Sequence, residues 1–282
     1  MRVADKWKDY ELLDCSSGQR LERWGDVILI RPDPQVIWKT EKTHPLWYKA
    51  HAVYNRSSSG GGKWDIRRKI PDAWKIKYGE LAFMVKPMGF KHTGVFPEQA
   101  VNWDMTAQII RDERRPLRVL NLFAYTGGAS LAARAAGAET THVDSVKQVV
   151  TWSRENMELS GLDGIRWIVE DALKFVRREV RRGSRYNGII LDPPAYGRGA
   201  NGEKWILEEN ICEMLACCAQ LLEPQGAFLV LNLYSMGLSS TLARTAVRQA
   251  FGAPLEEQYG ELCFTDRAGK QLPLGTYYRF IR

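Results

Sequence analysis

Arg118-Val-Leu-Asn-Leu-Phe-Ala-Tyr-Thr-Gly-Gly-Ala-Ser130 is the stretch that decides the fold. An apolar run of strand length passes into a tight glycine pair, and small residues suited to a helix follow. Gly127 and Gly128 carry no Cβ, so the backbone there approaches a ligand closely, at the carboxyl end of a strand where open α/β sheets bind their ligands. From the glycines alone, an ordinary strand-helix turn reads equally well.

Downstream the chain alternates helical periods with apolar runs, as a parallel sheet covered by helices on both faces requires. The reading gives a helix near 98–113, then strand 118–123, helix 129–136, strand 140–144, helix 147–159 and strand 165–170. It continues with helix 172–181, strand 188–192, helix 205–222, strand 227–233 and helix 240–251. Two last strand-like runs, 260–264 and 277–281, flank Asp266-Arg-Ala-Gly-Lys270, whose composition suits a hairpin link.

Upstream, residues 1 to about 85 hold short strand-like runs such as Asp26-Val-Ile-Leu-Ile30 and Leu81-Ala-Phe-Met-Val85, punctuated by Pro and Gly. The expected division is a β-rich unit over 1–88 and an α/β unit over 89–282. Within the first, Asn55-Arg-Ser-Ser-Ser-Gly-Gly-Gly-Lys63 reads as a flexible loop, and Trp64-Asp-Ile-Arg-Arg-Lys69 follows as a basic segment containing an aromatic. An exposed hairpin tip is preferred there over a dedicated RNA contact.

Composition agrees with two unequal units, since 282 residues exceed what one core fills, near ~250 residues. Hydrophobic residues at 45% and 10 Trp supply a core and exclude the disordered class. Cys15, Cys212, Cys217, Cys218 and Cys263 show no paired C-x-x-C spacing, so neither a zinc site nor a disulfide framework is expected and the reducing cytoplasm fits. The N-terminus is charged where a signal peptide needs an apolar run, and no stretch approaches ~18 uninterrupted apolar residues, so a soluble chain with no membrane partner is expected. A formal charge of +7 permits an anionic partner through counterion release, although a solvated basic surface gives the same count.

The next two strand ends carry acids. Asp144 follows Gly127 by 17 positions, near the ~20-residue offset at which a carboxylate accepts from ribose hydroxyls. Glu170-Asp171-Ala172 closes the third strand, where a carboxylate accepts from an adenine amino group or simply caps the next helix. Two such ends beside a glycine turn favour nucleoside binding. The G-x-G-x-x-G fingerprint of dinucleotide enzymes is absent, so the cofactor is expected to lack a pyrophosphate.

After the fourth strand comes Ile189-Ile-Leu-Asp-Pro-Pro-Ala-Tyr-Gly-Arg-Gly199. Its prolines fix the backbone just beyond the sheet, so Asp192, Pro193 and Tyr196 are the catalytic candidates, with room for a planar acceptor between them.

These segments together carry a resemblance. Residues from about 90 to 282 resemble the bacterial large-subunit (23S) rRNA methyltransferase family, through Gly89-Phe-Lys-His-Thr-Gly-Val-Phe-Pro-Glu-Gln99, Asn121-Leu-Phe-Ala-Tyr-Thr-Gly-Gly128, His142-Val-Asp-Ser145, Glu170-Asp171 and Asp192-Pro-Pro-Ala-Tyr196. The resemblance implies a Rossmann-like class I methyltransferase sheet ending in an antiparallel hairpin, preceded by a small β-rich domain. It also implies S-adenosylmethionine as cofactor and an RNA substrate, rRNA first. The candidate cofactor-binding set is then Phe96, Gln99, Asn121, Phe123, Ala124, Tyr125, Thr126, Gly127, Gly128, Asp144, Ser145, Asp171, Ala172 and Asp192, with no metal. Phe96 and Gln99 enter only through the resemblance, which does not extend to the RNA-binding PUA module of some members.

One departure bears on mechanism. Methylation at cytosine carbon 5 needs a Cys thiolate, and where the family holds it this chain has Leu231-Asn-Leu-Tyr-Ser-Met-Gly-Leu238, with Ser235 or Met236 at the position. Direct transfer to a nitrogen or oxygen is therefore expected. His92 and His142 are base candidates by type alone, and a structural role fits each better. A methyltransferase for small molecules or proteins, and a silent RNA-binding or cofactor-binding module, remain the alternatives. Arg177, Arg178, Arg181, Arg182 and Arg185 offer phosphate contacts, or equally a solvated helix face.

Overall fold

Asp171 shows how locally the sequence writes this fold. Its side chain accepts from the Lys174 N–H at 2.8 Å and starts helix α4 (Ala172–Arg181), whose Ala172, Leu173, Phe175 and Val176 form the buried stripe while Arg178 and Arg181 offset the dipole in the last turn. The computed structural model describes every residue outside 58–60, 200–201, 235–236 and 254–255.

The first part of the chain is β-rich: β1 (Arg2–Val3), β2 (Tyr10–Ser16), β3 (Gln19–Trp24), β4 (Val27–Pro32), β5 (Ala52–Arg56), β6 (Gly62–Ile66), β7 (Trp74–Tyr78) and β8 (Leu81–Val85). Then follow α1 (Ala100–Asp112), β9 (Arg118–Leu122), α2 (Gly128–Ala135), β10 (Glu139–Asp144), α3 (Lys147–Leu159), β11 (Arg166–Val169) and α4. The chain continues through β12 (Gly188–Leu191), β13 (Tyr196–Arg198), β14 (Lys204–Ile206), α5 (Leu207–Leu221), β15 (Phe228–Leu233), α6 (Ser240–Phe251), β16 (Glu256–Thr265) and β17 (Gln271–Ile281).

Eight strands make one sheet in the order β1-β16-β17-β15-β12-β9-β10-β11. From β11 to β15 the pairs are parallel, and β17 joins β15 antiparallel. Alternate side chains divide between two cores, as the two-residue strand period demands. Leu120, Leu122, Ile189, Leu191, Leu229 and Leu231 pack with α4 and α5, whereas Val119, Ile190, Phe228 and Val230 pack with Ile110, Leu117 and Ala133. Burial on both faces explains why β12 and β15 read as continuous apolar runs.

Two compact units emerge: residues 3–100 with 263–274, and residues 1–2 with 101–262 and 275–282. The boundary expected at 88/89 thus falls inside the first unit, and the tip of the last hairpin belongs there too. Long-range pairs explain this: Arg267 Nε donates to Glu11 Oε1 at 2.7 Å, Lys270 Nζ to Asp14 Oδ1 at 2.7 Å, and the Ala4 N–H to the Cys263 carbonyl at 3.1 Å. In the same unit Glu22 is fully buried. It accepts from Tyr10 Oη at 2.7 Å and from Arg31 Nε at 2.6 Å. Burial pushes its carboxyl up, but Arg20 and Arg31 prevail and hold it down at about 2.

Helices α3, α4 and α6 have the expected ends, whereas helix 205–222 starts later, at Leu207. Ile206 is extended at φ −126°, ψ 123°, and Asn210 Oδ1 takes its N–H at 2.8 Å. Residues 204–206 pair with Tyr196–Arg198 as a small hairpin that the sequence reading missed. The last two strands also run longer than expected, Glu256–Thr265 and Gln271–Ile281.

Candidate active site

The turn between β9 and α2 is wound against the preference of L residues. Phe123, Tyr125 and Gly127 all have positive φ, at 56°, 48° and 93°. For Phe and Tyr such a conformation costs on the order of 1–3 kcal/mol and persists only where the surroundings dictate it. They do so here. The Ala124 N–H donates to the Val143 carbonyl at 3.1 Å, Ser153 Oγ to the Tyr125 carbonyl at 2.7 Å and Asn156 Nδ2 to the Thr126 carbonyl at 3.0 Å.

Behind the turn lies a buried polar chain. Asn121 Nδ2 donates to Ser130 Oγ at 2.9 Å, Ser130 Oγ lies 3.0 Å from His142 Nδ1, and Ser153 Oγ lies 3.5 Å from His142 Nε2. Burial pushes His142 down to about 3, so the ring is neutral and structural. Asn121, 2% exposed, braces the turn from within through Ser130. Both glycines are buried, and the space a Cβ would take at Gly128 is filled by the Trp103 ring, at Gly127 by Leu131 and Ser153.

Asp144 ends β10 half-buried, with Oδ2 accepting from the Tyr125 N–H at 2.9 Å and Oδ1 from the Val146 N–H at 3.0 Å. Burial lifts its carboxyl above the usual range against the pull of these amides. Ser145 follows, half-buried, at the same edge. On the neighbouring strand end Asp171 spends one oxygen on the α4 cap, while Ala172 points into the core, so of Ala172 only the backbone is available to a ligand. Phe96 and Gln99 belong to the β-rich unit, at and within a one-turn 3₁₀ helix, Pro97–Gln99.

Asp192 follows β12, and the parallel register that sets Leu191 beside Leu231 places Asn232 next to it. Asn232 Nδ2 donates to Asp192 Oδ1 at 2.7 Å. Burial pushes the Asp192 carboxyl up to about 7, with the Asn232 donor pulling the other way. Pro193 is buried, the Pro194 carbonyl accepts from Trp205 Nε1 at 2.7 Å, and Trp205 meets the Phe123 ring at 4.7 Å between centroids. Tyr196 starts the small hairpin 51% exposed, and its hydroxyl accepts from Arg198 Nε at 2.8 Å. The sheet thus gathers Asp144, Asp171 and Asp192 at the carboxyl ends of its strands. Asn232 and Trp205 are the members sequence reasoning missed; a lone Asn in the apolar run Phe228–Leu233 was the available signal.

The arginines near α4 are largely engaged within the protein: Arg177 with Glu213 at 2.6 Å, Arg178 with Glu170 at 2.6 Å, Arg182 with Glu179 at 3.0 Å, and Arg185 with the Gln220 carbonyl. Trp64 Nε1 donates to the Met88 carbonyl at 2.9 Å. His92, in the β-rich unit, is pushed down to about 3 by burial. Ser235 and Met236 lie outside the described residues. Among the described residues no group of His, Cys, Asp and Glu could hold a metal ion, and no helix is long and apolar enough to cross a membrane.

The family model for S-adenosylmethionine-dependent methyltransferases matches residues 53–259. The chain belongs to that family. An S-adenosylmethionine-dependent methyltransferase from Agrobacterium tumefaciens superposes with a TM-score of 0.94 at 37% identity, covering 99% of this chain and 92% of that one. SMU.776, solved with SAH, shares the fold at 18% identity and a TM-score of 0.75, covering 98% of this chain and 76% of that one. The ribosomal RNA large subunit methyltransferase K/L of Shewanella frigidimarina (strain NCIMB 400) is 32% identical over 160 residues, 55% of this chain and 22% of its own length. The methyltransferase thus spans about a fifth of that relative.

S-adenosylmethionine is the cofactor of the methyltransferase, and the strand ends fit it. Half-buried Asp144 and the Asp171 oxygen outside the α4 cap are acceptors on adjacent strands, as a nucleoside with hydroxyl and amino donors needs.

Proposed function

We propose that this methyltransferase acts on a base in RNA, with rRNA the favoured substrate, by direct transfer to a nitrogen or oxygen without a cysteine nucleophile. The observation that carries the reading is Asp192, half-buried and held by Asn232 at the head of two central strands, with the exposed Tyr196 ring on the same turn. An anchored carboxylate beside an exposed aromatic suits a base that is oriented by hydrogen bonds and stacked outside its helix.

S-adenosylmethionine supplies a methyl group made electrophilic by its sulfonium. Asp144 accepts from the ribose hydroxyls and Asp171 from the adenine amino group. Phe123 through Gly128 wrap the methionine side, and Ser145 and the Ala172 backbone border the nucleoside. In such an in-line transfer the protein's contribution is positioning. Asp192 orients the acceptor, Pro193 fixes the turn that presents it, and Tyr196 stacks on the base. The likeness to a ribosomal RNA methyltransferase of Shewanella and the formal charge of +7 support RNA over a small molecule or protein, and the cytoplasm, where ribosomes are assembled, is the fitting compartment.

Nucleoside mass spectra of RNA from cells with and without the gene test the reading. A methylated nucleoside that disappears from rRNA is the expected result. An unchanged spectrum, from a protein that still binds S-adenosylmethionine, would move the substrate to small molecules or proteins.

A further inference from the structure

Asn232 is 1% exposed, and its amide places the donor end on Asp192 Oδ1 at 2.7 Å. The other end gains nothing: Oδ1 of Asn232 is buried and has no hydrogen-bond partner among the described residues. Its nearest surroundings at that end include Gly275, where a Cβ would lie 3.1 Å away. A buried amide carbonyl without a donor costs on the order of 1–3 kcal/mol, and an apolar side chain of the same shape would avoid that cost. The residue is therefore placed for what it does to Asp192 rather than for its own satisfaction.

We infer that Asn232 is a positioning residue for proton removal: by donating to Oδ1 of Asp192 it leaves Oδ2 as the oxygen that takes the proton released by the methyl acceptor. This rests on the assignment of Asp192 to the acceptor side of the site. When the acceptor is an N–H, its lone pair forms the bond to the methyl carbon as the carbon–sulfur bond breaks, and the nitrogen is left cationic. Its proton passes to Oδ2, which makes the nitrogen neutral and Asp192 an uncharged acid; the proton then leaves to water as product departs. Throughout, Oδ1 keeps accepting from Asn232, because an acid's carbonyl oxygen accepts as a carboxylate oxygen does.

The surroundings support that task. Burial holds the Asp192 carboxyl near 7 and, among the described residues, no charged side chain contributes to that position and the Asn232 donor alone opposes it. The backbone around it adds the contact from the Asp192 N–H to the Leu122 carbonyl on β9, at 3.5 Å. A carboxyl so placed accepts and releases a proton at neutral pH, which an ordinary surface Asp does not.

The test pairs a substrate-free and a substrate-dependent readout on the full chain. Carboxyl-carbon NMR of labelled protein is expected to show one Asp titrating near neutrality, lost in Asp192→Asn, and its midpoint should rise by roughly one pH unit or more in Asn232→Leu. Single-turnover methylation of total RNA from cells lacking the gene should rise with pH through the same midpoint, and in Asn232→Leu the profile should move up with it while SAH affinity is kept. A loss of activity in Asn232→Leu that is uniform in pH, or an unmoved carboxyl midpoint, would show a merely structural Asn232 and overturn the inference. Should Asn232→Leu not fold, the wild-type titration still decides, since an Asp192 midpoint below about pH 5 overturns it as well. A shifted carboxyl with no methylation in any RNA fraction upholds the pairing and sinks the RNA reading instead.

Discussion

A Cβ built on Gly128 would lie 2.3 Å from Cζ2 of Trp103, so the first residue of α2 is glycine because a ring from α1 occupies the place of its side chain. Ring and helix start are fitted to each other within the α/β unit.

Gly128→Ala is accordingly expected to destabilise the protein by about 1–3 kcal/mol, the usual range for overpacking a filled site. Trp103→Leu in the same chain should recover part of that loss by making room. Thermal melts of the two single variants and the double variant check the coupling, and strictly additive effects would count against the contact.

Asp144→Ala removes the proposed ribose acceptor and also the partner of the Tyr125 and Val146 amides. S-adenosylmethionine and SAH should both bind more weakly by about 1–3 kcal/mol, the range for a hydrogen bond to a charged group. Calorimetry measures it directly; unchanged affinity takes Asp144 out of the site.

Asp192 links pH to stability in a direction opposite to most carboxylates. Its folded carboxyl sits at about 7, above its unfolded value, so the folded state holds a proton that the unfolded chain releases. The contribution is fully present at acid pH, is lost as pH rises from the ordinary carboxylate range to about 7, and stays lost above it. Asp192→Asn, neutral throughout, should therefore melt with the wild type near pH 4 and above it at pH 8, while turnover falls by ~10²-fold or more with cofactor affinity kept. Melting curves at both pH values settle the sign.

Tyr196→Ala should weaken RNA binding by about 1–3 kcal/mol, the worth of one stacked base, and leave SAH affinity alone. Tyr196→Phe keeps the ring and loses only the acceptor for Arg198, so its effect should be small. Filter binding with rRNA fragments, beside SAH calorimetry, separates the two sites.

No covalent Cys–RNA adduct should form. Cys217 and Cys218 are buried on α5 with thiols pushed up by burial, Cys15 is buried with its thiol raised to about 12, and a raised thiol supplies little thiolate. RNA carrying 5-fluorocytosine traps such adducts, and a Cys-linked band on a denaturing gel would contradict the proposed chemistry.

The helices were legible where an apolar stripe and a cap agree, as at Asp171 and Ser239, whose side chains both accept from the amide three residues on. The hairpin at Tyr196–Arg198 and Lys204–Ile206 was not, because three-residue strands are too short for a two-residue period to show. Polar residues inside apolar strands carried a signal without an address. Asn121 and Asn232 look alike in sequence, yet one braces the glycine turn through Ser130 and the other meets Asp192, a distinction that only the neighbouring strands supply. The carboxylates at the strand ends were legible because the sheet order makes sequence-distant ends neighbours in a fixed way.

Glu11 and Asp14 find Arg267 and Lys270 across 256 residues of chain. During synthesis at ~5–20 residues per second, β2 leaves the ribosome on the order of 13–50 s before the segment that neutralises these two acids. In that interval the nascent β-rich unit lacks Cys263–Leu274, while the whole stretch from Val101 to Leu262 is translated. Domains made N-terminal first are usually finished first. Here the earliest strands wait for residues translated only after 101–262, so the β-rich unit stays incomplete until most of the α/β unit has been made.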